Sequence, residues 1–186
     1  MIAVKVVINS KIIRLIQGDI TQEKTDVIVN AANTSLRGGG GVDGAIHKAG
    51  GPSLLQECIE KYPDGCKTGE ARITTAGLMD AKWVIHTPGP IWRGGRQNED
   101  DFLTKCYYNS LLLAAEYGAK SIAFPSISTG VYRFPIERAS RIALTTVIEN
   151  LSSTSIEEVH FVLFSSSDYQ TYEKNLAEAL KNKGRK

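Results

Sequence analysis

The order of segments along the chain predicts an α/β domain: three α/β/α layers around a central mixed, largely parallel sheet. Three observations lead there. Strand-like runs such as "DVIVNAAN" and "EEVHFVLFS" alternate with stretches of helical period such as "DDFLTKCYYNSLLLAAEYG", and strands alternating with helices bury a parallel sheet between helical layers. The start differs, because "IAVKVVI" and "KIIRLIQ" follow each other across only Asn9 and Ser10. That reads as a hairpin and makes the sheet mixed, although "NS" is a weaker turn signal than "NG". Finally, 186 residues with 42% hydrophobic and 23% charged side chains are enough for a substantial core. No linker or shift in composition divides them, so one domain spanning 1–186 is expected, with a short basic tail over about 181–186.

Each element has its own signal. "GDITQ" makes a turn or short helix before the buried strand around Val27 to Val29. Val42 to Ala49 reads as a helix interrupted by "GGPS", and a second helix begins near Pro52, since proline suits the first helical turn. "ARITTAG" and "KWVIHTPG" follow as strands, and the next helix stops at Gly118. "SIAFPSISTGVYRFP" is a strand running into a loop, and "IERASRIALTTVIENL" is a helix. "EEVHFVLFS" and "DYQTYEKNLAEALKNK" complete the chain as strand and helix.

Composition excludes several functions. The net charge is +2 and the only basic cluster is the tail "KNKGRK", so a basic, aromatic-studded stripe for nucleic acid is missing. Apolar runs are short and flanked by polar residues, which argues against a signal peptide or a membrane partner. Cys58, Cys66 and Cys106 form no CxxC pair, so reduced thiols and a cytoplasmic location are expected. His47, His86 and His160 lack metal-ligand spacing, so no metal is expected.

Ligands of open α/β sheets bind beyond the carboxyl ends of the strands. Two loops at such ends, "NAANTSLRGGGGVDGAIH" and "PSISTGVYRFP", carry short side chains into a helix N-terminus, where free N–H groups and the helix dipole favour an anion. Two such loops point to a ligand with two phosphates, or with one phosphate and a polar sugar. Gly39, Gly41 and Gly44 satisfy G-x-G-x-x-G, but "AANTSLR" separates them from the strand, and the residue at the acid's offset is Asp64 in the turn "YPDG". "DGCKTGE" lacks the GK[ST] order of a P-loop. Dinucleotide and NTPase readings therefore fall behind.

Six ordered motifs, "GDIT", "DVIVNAAN", "GGGGVDGAIH", "GCKTGEARIT", "VIHTPGPIWRGG" and "ISTGVYRFP", resemble the macrodomains. The chain looks nearest to the MacroD-type branch that includes bacterial O-acetyl-ADP-ribose deacetylases, and the similarity runs from about Leu15 to Tyr172. The resemblance implies a three-layer domain that binds ADP-ribose and hydrolyses its esters, with no metal or organic cofactor. Its partners would be ADP-ribose, O-acetyl-ADP-ribose or mono-ADP-ribosylated proteins, and a monomer is expected. Carried over, Asp19 would accept a hydrogen bond from the adenine amino group with Ile20 beside it, and Phe164 would stack on the adenine. Asn33 would hold the distal ribose, Gly40, Gly41 and Val42 would present backbone amides, and Asp43 would face the reacting ester. Ser128, Thr129, Gly130, Val131 and Tyr132 would wrap the diphosphate, with Tyr132 near the distal ribose. Arg133 departs from the glycine common in relatives; if that position needs a positive φ, arginine strains the loop.

Several of these residues have plainer readings. Asp19 caps the turn that follows it, or recognises adenine. Asn30 and Asn33 are strand-end asparagines that bond nearby backbone; Asn30 is expected to do so, and Asn33 to meet ligand. Asp43 lies in a first helical turn, whose field holds a carboxylate ionised and weakly basic. His47 shares its face four residues on, as a structural histidine or a positioner of water. His86 and His160 are core or rim residues, Phe124 and Pro125 are packing, and Trp92 anchors a loop. No nucleophile motif emerges. Direct attack of water, held by Asp43 beside a ribose fixed by Asn33, is the expected mechanism. A reader that binds ADP-ribosylated proteins without turnover is the alternative, and a general nucleotide binder or redox domain is a third.

Overall fold

The protein is described over residues 3–183 by a computed structural model. Ile2 of the expected first strand and the last three residues of the basic tail lie outside the described residues. The strands are β1 (Ala3–Ile8), β2 (Lys11–Gln17), β3 (Val27–Ala32), β4 (Arg72–Thr75), β5 (Trp83–Pro88), β6 (Ser121–Phe124) and β7 (Glu158–Leu163). The helices are α1 (Gly41–Gly50), α2 (Pro52–Lys61), α3 (Glu99–Glu116), α4 (Ile136–Asn150) and α5 (Ser166–Lys183), with short 3-10 turns at Ile20–Gln22 and Leu151–Ser153.

The seven strands form one sheet in the order β1-β2-β7-β6-β3-β5-β4. Those from β2 to β5 in that order run parallel, and β1 and β4 are antiparallel edges. The opening hairpin forms as expected. Asn9 and Ser10 both hold left-handed backbone, with φ of 50° and 66°, as a tight two-residue hairpin turn of matching twist requires. β1 exposes alternate residues, Val7 among them.

Successive strand residues face opposite layers. Val27 and Val29 join one core with Leu103, Tyr107, Leu144 and Tyr172 from α3, α4 and α5. Ile28, between them, joins the other with Ile46 of α1 and Leu54 of α2. The three layers expected from the segment order are therefore present. Pro52 opens α2, and α3 gives way to Gly118 at φ 75°. Among the described residues no helix is long and apolar enough to cross a membrane.

Candidate functional site

Because the central strands are parallel, the segments after β2, β3, β5, β6 and β7 all emerge at one end of the sheet. There they enclose a cleft made of two adjoining hollows. One, of about 420 Å³, is walled by Asp19, Ile20, Pro125, Thr129 and Phe164. The other, of about 230 Å³, is walled by Asn33, Gly40, Asp43, Ser128, Val131 and Tyr132. Gly41, Val42, Ser126 and Gly130 line both. Every residue that the resemblance assigned to ligand thus borders one continuous cleft.

In the first hollow, Oδ1 of Asp19 accepts the Thr21 N–H at 2.9 Å and the Thr21 hydroxyl at 2.8 Å. The capping reading is therefore correct, yet it occupies one oxygen only. Asp19 stays exposed at the rim, so its second oxygen still borders the hollow. Phe164 stands immediately beyond β7 and is 84% exposed. A large apolar ring in water beside a cavity is the informative kind of exposure.

In the second hollow, bare backbone lies against two polar side chains. A Cβ on Gly39 would sit 3.0 Å from Oδ2 of Asp43 and 3.5 Å from Nδ2 of Asn33. Gly41, the first residue of α1, holds φ at 57°, where a side chain is disfavoured. Asn33 gives its loop its shape, with Nδ2 donating to the Gly38 carbonyl at 2.7 Å and Oδ1 accepting from the Ser35 hydroxyl at 2.7 Å.

Asp43 is only 5% exposed. Its Oδ1 accepts from Nδ2 of Asn30 at 2.8 Å, and Nε2 of His47 lies 3.4 Å from the same oxygen. Burial raises the Asp43 carboxyl above the usual 3.8, outweighing the Asn30 hydrogen bond and the field of His47, which pull it down. The expectation of a weakly basic carboxylate is corrected accordingly. The helix terminus favours the anion, but withdrawal from water acts more strongly.

Asn30 corrects another expectation. It does not bond the nearby backbone. Its residue in β3 is paired in register with His86 of β5, and both side chains point toward the α1 and α2 layer. Nδ2 of Asn30 lies 3.1 Å from Nδ1 of His86, whose Nε2 lies 2.9 Å from Oγ1 of Thr74 and 3.6 Å from Sγ of Cys58. Burial, reinforced by His47, lowers His86 to about 3, so the ring is neutral. Nδ1 then accepts from Asn30, which places the proton on Nε2, donating to Thr74. His86 is thus a core residue, as expected, but one linked to Asp43 through Asn30. His160 lies at the rim, between Glu23 at 2.5 Å and Glu158 at 2.8 Å.

The segment after β6 is held from beneath by a residue the sequence reading passed over. The buried Tyr107 hydroxyl donates to the Pro125 carbonyl at 3.2 Å and accepts the Ile127 N–H at 3.1 Å. The spacing of Leu103, Tyr107, Leu111 and Ala114 on α3 marks Tyr107 only as core. Above it, Ser128 and Arg133 hold φ at 67° and 58°, so Arg133 does adopt the left-handed backbone that strains a side chain. The Arg133 N–H closes a turn on the Gly130 carbonyl at 2.9 Å, and the Trp92 N–H donates to the Tyr132 carbonyl at 2.9 Å. Trp92 in turn packs on Phe134, ring centroids 4.7 Å apart, under the Arg138 guanidinium. It is the loop anchor expected. All three thiols are free and buried, with burial pushing Cys58 and Cys66 up to about 11 and Cys106 to about 12.

Comparison with known proteins bears on this cleft. A family model described as Macro domain matches residues 29–143. The chain is 58% identical over 168 residues to a macro domain-containing protein of Caldanaerobacter subterraneus subsp. tengcongensis, covering 89% of this chain and 96% of that protein. It is 49% identical over 178 residues to one of Methanosarcina mazei, covering 95% and 94% respectively. Among solved structures, an Oceanobacillus iheyensis macrodomain with ADP has a TM-score of 0.92 at 44% identity, covering 97% of this chain and 98% of that one. A Trypanosoma brucei macrodomain in complex with ADP-ribose has a TM-score of 0.81 at 44% identity, covering 87% of this chain and 68% of that one.

Proposed function

The chain belongs to the macro domain family, and from that premise we propose that it binds ADP-ribose and hydrolyses acyl esters formed on its distal ribose. The bound ADP and ADP-ribose of the two solved relatives support the ligand. On this reading adenine stacks on Phe164 beside Ile20 and donates to the free oxygen of Asp19. The diphosphate runs past the backbone of Gly40, Gly41 and Val42 on one side and Ser128, Thr129, Gly130 and Val131 on the other. The distal ribose reaches Asn33 and Tyr132, which brings its ester to Asp43.

One observation carries the hydrolytic part: Asp43 is a carboxylate withdrawn from water, with raised proton affinity, lying against bare glycine backbone in the cleft. A general base works best when its pKa approaches the working pH. Water adds its oxygen to the acyl carbon as Asp43 takes the proton. The bond from acyl carbon to ribose oxygen then breaks, and Asp43 returns the proton to the departing oxygen. The products are ADP-ribose and a free carboxylic acid. The cysteines are buried and hard to ionise, which disfavours a covalent route. Fixing the ribose beside the base supplies the rest of the barrier lowering by orientation.

Loss of a positioned base costs roughly 100-fold or more in rate. Asp43→Ala should therefore release the acyl group at least that much more slowly from an O-acetyl or glutamate-linked ADP-ribose, while calorimetry returns nearly the wild-type ADP-ribose affinity. Unchanged turnover refutes the assignment of the base. Asn33→Ala should weaken both binding and turnover. A wild-type protein that binds ADP-ribose but releases nothing is a reader module, and equal affinity for NAD and ADP-ribose marks a general nucleotide binder.

A further inference from the structure

The cleft continues past Asp43. Gly89 and Tyr132, which wall its distal end, also line a third hollow of about 300 Å³ that takes in Thr34, Pro90, Ile91 and Arg93. Thr68 and Phe102 carry that hollow into a fourth, of about 540 Å³, lined by Lys67, Gly69, Lys105 and Asn109. A trench therefore leads from the end of the cleft nearest Asn33 and Asp43, away from Phe164 and Asp19.

Its charge is one-sided. Of the carboxylates along it, Glu99 is turned inward and accepts three backbone N–H groups, from Arg93 at 2.9 Å, Gly95 at 3.1 Å and Gln97 at 2.6 Å. Glu70 is bound by Arg72 at 2.8 Å. Glu99 therefore has no charge open to a passing ligand, and the charge of Glu70, whose side chain is 43% exposed, is offset by Arg72. The cations Lys67, Arg93 and Lys105 are exposed, and none is ion-paired with a carboxylate among the described residues. Lys105 stands 5.6 Å from the centre of the Phe102 ring, which faces both trench hollows. Ile91, half exposed beside Pro90, gives the nearer hollow an apolar wall.

With ADP-ribose placed as proposed, an acetyl group on the distal ribose is small enough to stay beside Asp43, whereas a polypeptide joined through a side-chain carboxylate has to leave the cleft somewhere. We infer that the trench is the acceptor-side groove of the enzyme: it receives the polypeptide that carries the ester, and its unpaired cations select segments rich in Asp and Glu around the modified residue. The inference rests on the proposed placement of ADP-ribose and deepens it, naming proteins modified within acidic stretches as the substrate class. Opposed charges arranged along a groove contribute partner choice more than raw affinity.

The probe is ADP-ribose joined by a hydrolysis-resistant link to one of two peptides, one acidic around the attachment site and one neutral, with free ADP-ribose as reference. Three exposed ion pairs together amount to about tenfold in affinity. By calorimetry at low salt, the acidic conjugate should bind about that much tighter than the neutral conjugate or free ADP-ribose. The advantage should shrink as salt is raised. It should vanish in a Lys67→Glu, Arg93→Glu, Lys105→Glu variant, whose affinity for free ADP-ribose reports whether the cleft itself is intact. Equal binding of the two conjugates overturns the inference, as does an advantage that survives charge reversal or high salt. Failure of free ADP-ribose to bind the wild type overturns the underlying placement instead, so the two failures are told apart.

Discussion

Arg133 keeps its backbone at φ 58° in the loop that borders the cleft, and Ser128 does the same at 67° five residues earlier. A side chain in that conformation costs about 1–2 kcal/mol, held here by the turn that Arg133 closes on Gly130. Strain of this kind gathers where a loop must present its backbone to a ligand. Arg133→Gly relieves it, and part of the gain is offset because glycine loses more freedom on folding. The net expectation is a stabilisation of about 0.5–1 kcal/mol, read as a higher urea midpoint at unchanged slope. If Arg133 served as a hidden stabilising contact, the midpoint would fall instead. Asn33, Asp43 and the glycine run were legible in the sequence because they follow one another from a strand end into a helix start. Asn30 was not, since its partners are Asp43 and His86, and His86 is brought to it only by the pairing of β3 with β5.

Helix α3 walls the trench, and it supports the two hollows of the cleft itself without lining them. Through the Tyr107 hydroxyl it satisfies one donor and one acceptor of the segment after β6. Helical spacing announces that this residue is buried; it says nothing about a hydroxyl reaching loop backbone on a neighbouring strand. Tyr107→Phe leaves the Ile127 N–H buried without a partner, at a cost of about 1–3 kcal/mol. Denaturant unfolding should show that loss, and ADP-ribose affinity should fall with it, because the loop walling both hollows is no longer pinned. A loss of stability with unchanged affinity would mean that the loop holds its shape unaided. The hairpin of β1 and β2 was legible from two short runs and two intervening residues, since strand register fixes everything else about it.

At the scale of the molecule, parallel strands gather five separate segments at one end of the sheet, which is why residues as far apart as Asp19 and Phe164 share a cleft. The motifs told which segments matter; the trench beyond Tyr132 was not legible as a groove, because Lys67 and Thr68 of "GCKTGEARIT" and Pro90, Ile91 and Arg93 of "VIHTPGPIWRGG" meet Phe102 and Lys105 of α3 only in the fold. Two histidines give the folded protein opposite responses to pH. His86, lowered to about 3 by burial, stays neutral while the unfolded chain takes up a proton below about 6.5. Stability is therefore lost as pH falls from about 6.5 towards 3, by at most about 1.4 kcal/mol per pH unit. For His160, burial opposes the charge, but hydrogen bonds to Glu23 and Glu158 outweigh it and raise the pKa. Its contribution is complete below about 6.5 and is lost as pH rises through the raised value. Urea midpoints between pH 5 and 8 should show His86→Gln flattening the acid limb, and His160→Gln costing more stability at pH 5.5 than at pH 8. The buried thiols add a clock. Cys106 belongs to the main core between the sheet and α3, whereas Cys58 and Cys66 form a small cluster with Ala32 and Leu36 behind the glycine loop, where the Cys66 N–H holds the Thr34 carbonyl at 2.8 Å. An alkylating reagent reaches none of them until the fold opens, so the order in which they become labelled separates breathing of the ligand loop from unfolding of the whole chain.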